Sequence, residues 1–176
     1  MLAHSMGRAR YTETIEHVTE IAAARERVWH ALTAPSSVVA WDTGIVAPID
    51  APADYPRPGQ VVRWRYRLAG LPLTLIDEPQ DVAPLERLRS RISLGFLRFD
   101  ETYTLEPLAG DDSGTRLSAL LEVGTSLPFG GRAFDRLVGR RMASQTVAAS
   151  LRAIAAFCEQ GERDDVRAAA SAPDRA

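Results

Sequence analysis

From about Phe129 to Gln160 the chain reads as one unbroken helical stretch, and nearly everything before it alternates with the period of a strand. The only other clear helix, Ala24–Leu32, follows directly on the first alternating segment and is stopped by Pro35. One strand, a short helical break, many antiparallel strands and one long closing helix point to a curved sheet gripping that helix. Such a sheet closes around a hole more readily than around a solid core, so the order of elements itself implies a pocket.

The alternation divides residues between two faces. Thr12–Ile21 places Ile15, His17, Thr19 and Ile21 together. A short turn, Pro35–Val39, leads to Trp41 and Asp42, and Gly44–Ile49 is a candidate second strand. The segment Ala47–Gly59 holds four prolines and is too rigid for a sheet interior. Gln60–Leu68 sets Val62, Trp64, Tyr66 and Leu68 against Arg63, Arg65 and Arg67. Leu73–Val82 follows, with Pro79 marking a bulge or an edge. Leu88–Leu94 opposes Leu88, Ser90, Ile92 and Leu94 to Arg87, Arg89 and Arg91. In Leu97–Glu106 the residues Leu97, Phe99, Glu101, Tyr103 and Leu105 share a face, and after a Gly110–Gly114 turn Arg116–Val123 completes the sheet. Helical spacing adds Phe134, Val138, Met142, Gln145 and Ala149 to the interior.

Composition removes several classes of function. A chain of 176 residues is about one domain, expected over 11–161 with loose ends at 1–10 and 162–176. All 21 basic residues are arginine, which rules out a lysine Schiff base or a Walker-type phosphate loop. The net charge of −2 gives no reason to expect nucleic acid or an anionic membrane as partner. No apolar run approaches the roughly 20 residues of a membrane span, and 1–10 lacks the core of a secretory signal, so a cytoplasmic location is expected. The single cysteine, Cys158, excludes an internal disulfide. No His, Cys, Asp or Glu cluster has metal-ligand spacing, and neither a metal nor another cofactor is expected.

Three segments carry a family resemblance. IAAARERVWHALTAPSSVVAW (Ile21–Trp41) resembles the opening of the START-like, or polyketide cyclase/dehydrase (SRPBCC), superfamily: a strand ending at Ile, a helix with a Val-Trp pair, and a tryptophan after a short second helix. VAPLERLRSRI (Val82–Ile92) resembles its proline-marked turn into the fifth strand, and LRAIAAFCEQG (Leu151–Gly161) the end of its closing helix. The likeness spans roughly Glu13 to Gly161. It departs at Ala22–Ala24, where many relatives carry a proline. It implies an α+β helix-grip fold, six or seven antiparallel strands around a C-terminal helix, with short helices after strand one. The implied function is binding of a lipid, polyketide or similar small hydrophobic molecule; other members cyclise polyketides or act through protein contacts.

Glu101 is the anomaly: a carboxylate in phase with apolar neighbours, which burial would neutralise unless paired. It is either an acid–base group or ligand anchor, or it is turned outward by a bulge or paired with an arginine such as Arg141. His17, on the inner face of the first strand, is a candidate partner for it, and Tyr66 and Tyr103 are further proton carriers. Trp64, Tyr66, Phe99 and Tyr103 are candidate pocket walls or plain core. Trp41 is expected at the pocket mouth or as a plug of the sheet end. Gly124–Arg132 lacks a phosphate-loop pattern and reads as a gate with Leu127 and Phe129 at its tip. The arginine rows read as a solvated outer face. The sequence thus supports ligand binding first, an aromatase/cyclase-type enzyme second and a protein-interaction module third.

Overall fold

Because each alternating segment buries one face, all of them pair edge to edge. The computed structural model describes residues 11–68, 70–95, 97–124 and 133–170. Its elements are β1 (Tyr11–Ile21), α1 (Arg25–Thr33), α2 (Pro35–Trp41), β2 (Ile45–Pro48), β3 (Val62–Leu68), β4 (Leu71–Ala83), β5 (Arg87–Leu94), β6 (Leu97–Leu108), β7 (Asp111–Gly124) and α3 (Ala133–Ala170). The strands form one antiparallel sheet in the order β1-β7-β6-β5-β4-β3-β2. α3 packs on the inner face, chiefly against β1. This is the α+β helix-grip fold that the sequence implied. No helix among the described residues is long and apolar enough to cross a membrane.

Pro35–Val39, a turn by its residue pattern, is helical, as α2, the short second helix that the resemblance implied, with Pro35 in its first turn, where a fixed φ suits a helix and no N–H is needed. That proline leaves a gap in α1: the carbonyl of Ala31 would bond the N–H four residues on, and Pro35 has none. The indole N–H of Trp41 donates to Ala31 O at 2.8 Å and fills the place. α1 has Ala24 at its N-cap and therefore no side-chain cap. Pro79 does mark a bulge, since the β4–β5 register shifts between Pro79 and Asp81. β7 starts at Asp111, five residues before the expected Arg116, because Gly110 at φ +81° turns the chain at once.

The core runs between sheet and helices, with Ile21, Val28, Val62, Trp64, Leu117, Ile154 and Cys158 nearly or fully sealed. On α3 the buried stripe is Val147, Leu151, Ile154 and Cys158. This corrects the helical phase read from the sequence: Gln145 and Ala149, expected to face inward, are exposed. α3 also continues to Ala170, well into the segment expected to be loose. Arg27 of α1 donates from Nε to Glu162 Oε2 at 2.8 Å and also pairs with Asp165, pinning this extension to the first helix. Both acids raise the Arg27 pKa and outweigh the burial that would lower it.

The outer face carries the arginine rows, laced by acids. Asp100, 3% exposed, accepts Arg89 at 2.7 Å and Arg91 at 3.3 Å, while Arg63 pairs with Asp50 and Arg87 with Asp81, each at 2.6 Å.

Candidate functional site

Strand register decides which inward side chains are neighbours. Ser90 of β5 stands opposite Glu101 of β6, which in turn stands opposite Leu121 of β7. One step along, Val62, Asp77, Ile92, Phe99 and Val123 form a row from β3 to β7. One step the other way, Leu88, Tyr103, Ala119 and His17 form another. The inner face is sealed around Leu88, Tyr103 and Ala119, whereas Phe99, Glu101, Val123, Leu73, Leu75 and Tyr66 keep accessible surface. Glu101 therefore lies inward, at the border between the sealed and the accessible part.

Tyr103 O–H donates to Glu101 Oε1 at 2.9 Å. No ion pair reaches Glu101 among the described residues, and Arg141 is exposed. Burial pushes the Glu101 pKa from 4.5 up to about 7, opposed by the Tyr103 hydrogen bond and assisted by the charges of Asp77 and Asp42. The Tyr103 hydroxyl is raised well above its ordinary value, first by burial and then by Glu101. The pair can therefore gain or lose a proton near neutrality at one carboxyl, with a neutral phenol beside it.

A second acid–phenol pair lies beside the first. Tyr55, from the proline-rich loop, donates to Asp77 Oδ2 at 2.6 Å, and its ring meets Trp64 edge-on at 6.0 Å and 78°. Burial raises both the Asp77 carboxyl and, strongly, the Tyr55 hydroxyl. Ser90 and Trp64 lie near enough to favour the Asp77 charge. Yet the buried Asp77 Oδ1 and Ser90 Oγ complete no hydrogen bond. Asp42, whose Oδ1 accepts the Gly44 N–H at 2.8 Å, has a carboxyl raised by burial. Burial and then Asp42 and Glu101 raise the Tyr66 hydroxyl. Tyr66 is seated over Gly44, where a Cβ would stand 2.5 Å from its ring, so a side chain at 44 would displace the tyrosine.

The candidates read from the sequence separate accordingly. Glu101 and Tyr103 come together. His17 does not join them: its Nε2 is 2.8 Å from Ser144 Oγ on α3, across the grip. Trp64 is core, and Tyr66 and Phe99 are half-buried on the inner face. Trp41 is buried, and its indole N–H ties α2 to α1. Gln145 points to the exterior. Phe129, with the expected gate Gly124–Arg132, lies outside the described residues apart from Gly124, and the side chains of Phe134, Val138 and Met142 likewise lie outside. Sequence reasoning missed Tyr55 and Asp77. Asp77 was detectable, being in phase with Leu73 and Leu75; Tyr55 sits in a loop with no period to reveal its direction. Among the described residues no group of three His, Cys, Asp or Glu is placed to hold a metal ion.

Comparison with solved structures shows the same fold. A START superfamily protein from Mycobacterium smegmatis aligns over 84% of this chain and 97% of its own, at 19% identity and a TM-score of 0.67. A protein from Chromobacterium violaceum aligns over 83% and 96%, at 22% identity and 0.59. DynU16, from the dynemicin biosynthetic locus, matches 84% of this chain with 48% of its own length, at 19% identity and 0.62. No curated protein matches in sequence. The model of one family, described as polyketide cyclase / dehydrase and lipid transport, matches residues 12–159. With nearly the whole sheet and most of the closing helix inside that match, this chain belongs to the polyketide cyclase / dehydrase and lipid transport family.

Proposed function

We propose that this protein holds an apolar or amphipathic small molecule between the inner face of the sheet and α3, with the Glu101–Tyr103 pair as its polar anchor. One observation carries this reading: a carboxyl and a phenol, hydrogen-bonded at 2.9 Å, face inward where the sheet keeps accessible surface. A buried acid without a cation is costly to the fold, and a binding role is a reason to keep it. Phe99, Val123 and Leu75 around it supply apolar surface, worth about 25 cal/mol per Å² buried, and the polar pair sets orientation. The family description, which names lipid transport beside cyclisation, supports the same reading.

A second reading, an aromatase/cyclase-type enzyme, is favoured by the Glu101 pKa of about 7 next to a tyrosine hydroxyl, since a general acid or base works best near the ambient pH. His17, held by Ser144, would take no part in it.

Native mass spectrometry of freshly purified protein, followed by organic extraction, tests the binding reading. A discrete added mass of lipid or polyketide size, weakened by Glu101→Gln, is expected. A clean apo mass under conditions that preserve a known complex would overturn tight carriage and shift weight to turnover.

A further inference from the structure

Resting on the binding reading, the structure also specifies the head group. Asp77, Ser90 and Glu101 lie on the inner face of the adjacent strands β4, β5 and β6, with Ser90 directly opposite Glu101. The two phenols beside them already donate inward, Tyr55 to Asp77 and Tyr103 to Glu101. With both carboxyls ionised, what the three residues leave over is mostly acceptor capacity. Asp77 Oδ1 and Ser90 Oγ are buried, at residues 6% and 5% exposed, without a hydrogen-bond partner. Glu101 has one oxygen occupied by Tyr103, and it is the accessible member of the set. No described arginine pairs with Asp77 or Glu101; the ion-paired arginines of β3 and β5 lie on the outer face, with Asp50, Asp81 and Asp100. His17, the inward base, is engaged by Ser144.

A ligand with only acceptors at its head, a ketone, carboxylate or phosphate, would meet two carboxyls whose neighbouring hydroxyls are occupied. A protonated amine brings three N–H donors and the opposite charge. We propose that the bound molecule is an amphiphile with an apolar or aromatic body and a cationic amine, its nitrogen seated among Asp77, Ser90 and Glu101.

The test uses the full chain and three matched probes: 2-(2-naphthyl)ethylamine, 2-(2-naphthyl)ethanol and 2-naphthylacetate, titrated calorimetrically at neutral pH. The amine is expected to bind about tenfold or more tighter than the alcohol, with the acetate weakest. Glu101→Gln and Asp77→Asn should each shrink the preference for the amine over the alcohol to about threefold or less. Should Asp77→Asn fail to fold, Glu101→Gln, at the accessible position, decides alone. Equal binding of all three probes, or a preference that survives Glu101→Gln, overturns the head-group assignment and leaves the binding reading standing. If none of the three binds, the head-group assignment falls, and the native mass spectra decide the binding reading separately.

Discussion

Replacing Glu101 with glutamine should make the protein more stable, and only above the acid range. The Glu101 carboxyl is shifted from 4.5 to about 7, chiefly by burial. Two and a half units at 1.36 kcal/mol each amount to about 3 kcal/mol. Between these two values the folded state holds more protons than the unfolded chain, so the wild-type protein loses stability as pH rises through the window and levels off above about 7. Glutamine cannot ionise and keeps a carbonyl oxygen for the Tyr103 hydroxyl. The two proteins should therefore match near pH 4.5 and separate progressively to about 3 kcal/mol at pH 8. For a chain of this size that is a rise in Tm of about 6–12 °C. Asp77 and Asp42 titrate in both proteins, so the difference isolates Glu101. Urea unfolding at a series of pH values measures it directly. A difference that stays flat with pH, or a variant less stable at pH 8, would refute the buried, cation-free carboxyl.

Three other outcomes follow from the packing. Trp41→Phe keeps the ring but strands the Ala31 carbonyl that Pro35 cannot serve, costing about 1–3 kcal/mol; an unchanged urea midpoint would contradict that role. Cys158, buried and with its thiol pushed up to about 11, should ignore Ellman's reagent at neutral pH until the protein is unfolded in urea, and equal rates in both states would count against it. Arg27→Ala removes half-exposed ion pairs, so global stability should change by less than about 1 kcal/mol. Amide exchange across 162–170 should nevertheless accelerate, and unchanged protection there would show that the α3 extension holds without α1.

How much of this was legible depends on what kind of pattern each residue belongs to. β6 announced itself, because Phe99, Glu101, Tyr103 and Leu105 alternate without interruption, and an acid in that series is conspicuous. β4 did not: the bulge at Pro79–Asp81 breaks the period, so Asp77 went unassigned although it shares a face with Leu75. Tyr55 was beyond reach, since a proline-rich loop has no periodicity and its contacts with Trp64 and Asp77 are tertiary. The phase of α3 failed for another reason. Alanines at 143, 148, 149, 153, 155 and 156 give nearly every helix face an apolar look. Only packing against the sheet selects Val147, Leu151, Ile154 and Cys158. His17 was placed on the correct face, yet its partner came from a helix 127 residues away.

The sheet order has a further consequence for synthesis. From β3 to β7 every strand lies beside the next one in sequence, so each can find its partner as soon as a short turn has formed, and β2 joins β3 across the proline-rich loop. β1 is different. Among the described residues its strand partner is β7, with His17 opposite Ala119 and Ile21 opposite Thr115. β1, made before the other six strands of this sheet, is thus the last that the sheet can accept. Until residues near Gly124 emerge, an 11-residue strand with Ile15 and Ile21 on one side waits unpaired. Its opposite side reads Glu16, Val18 and Glu20, and those charges keep the waiting strand from pairing with a neighbour's copy.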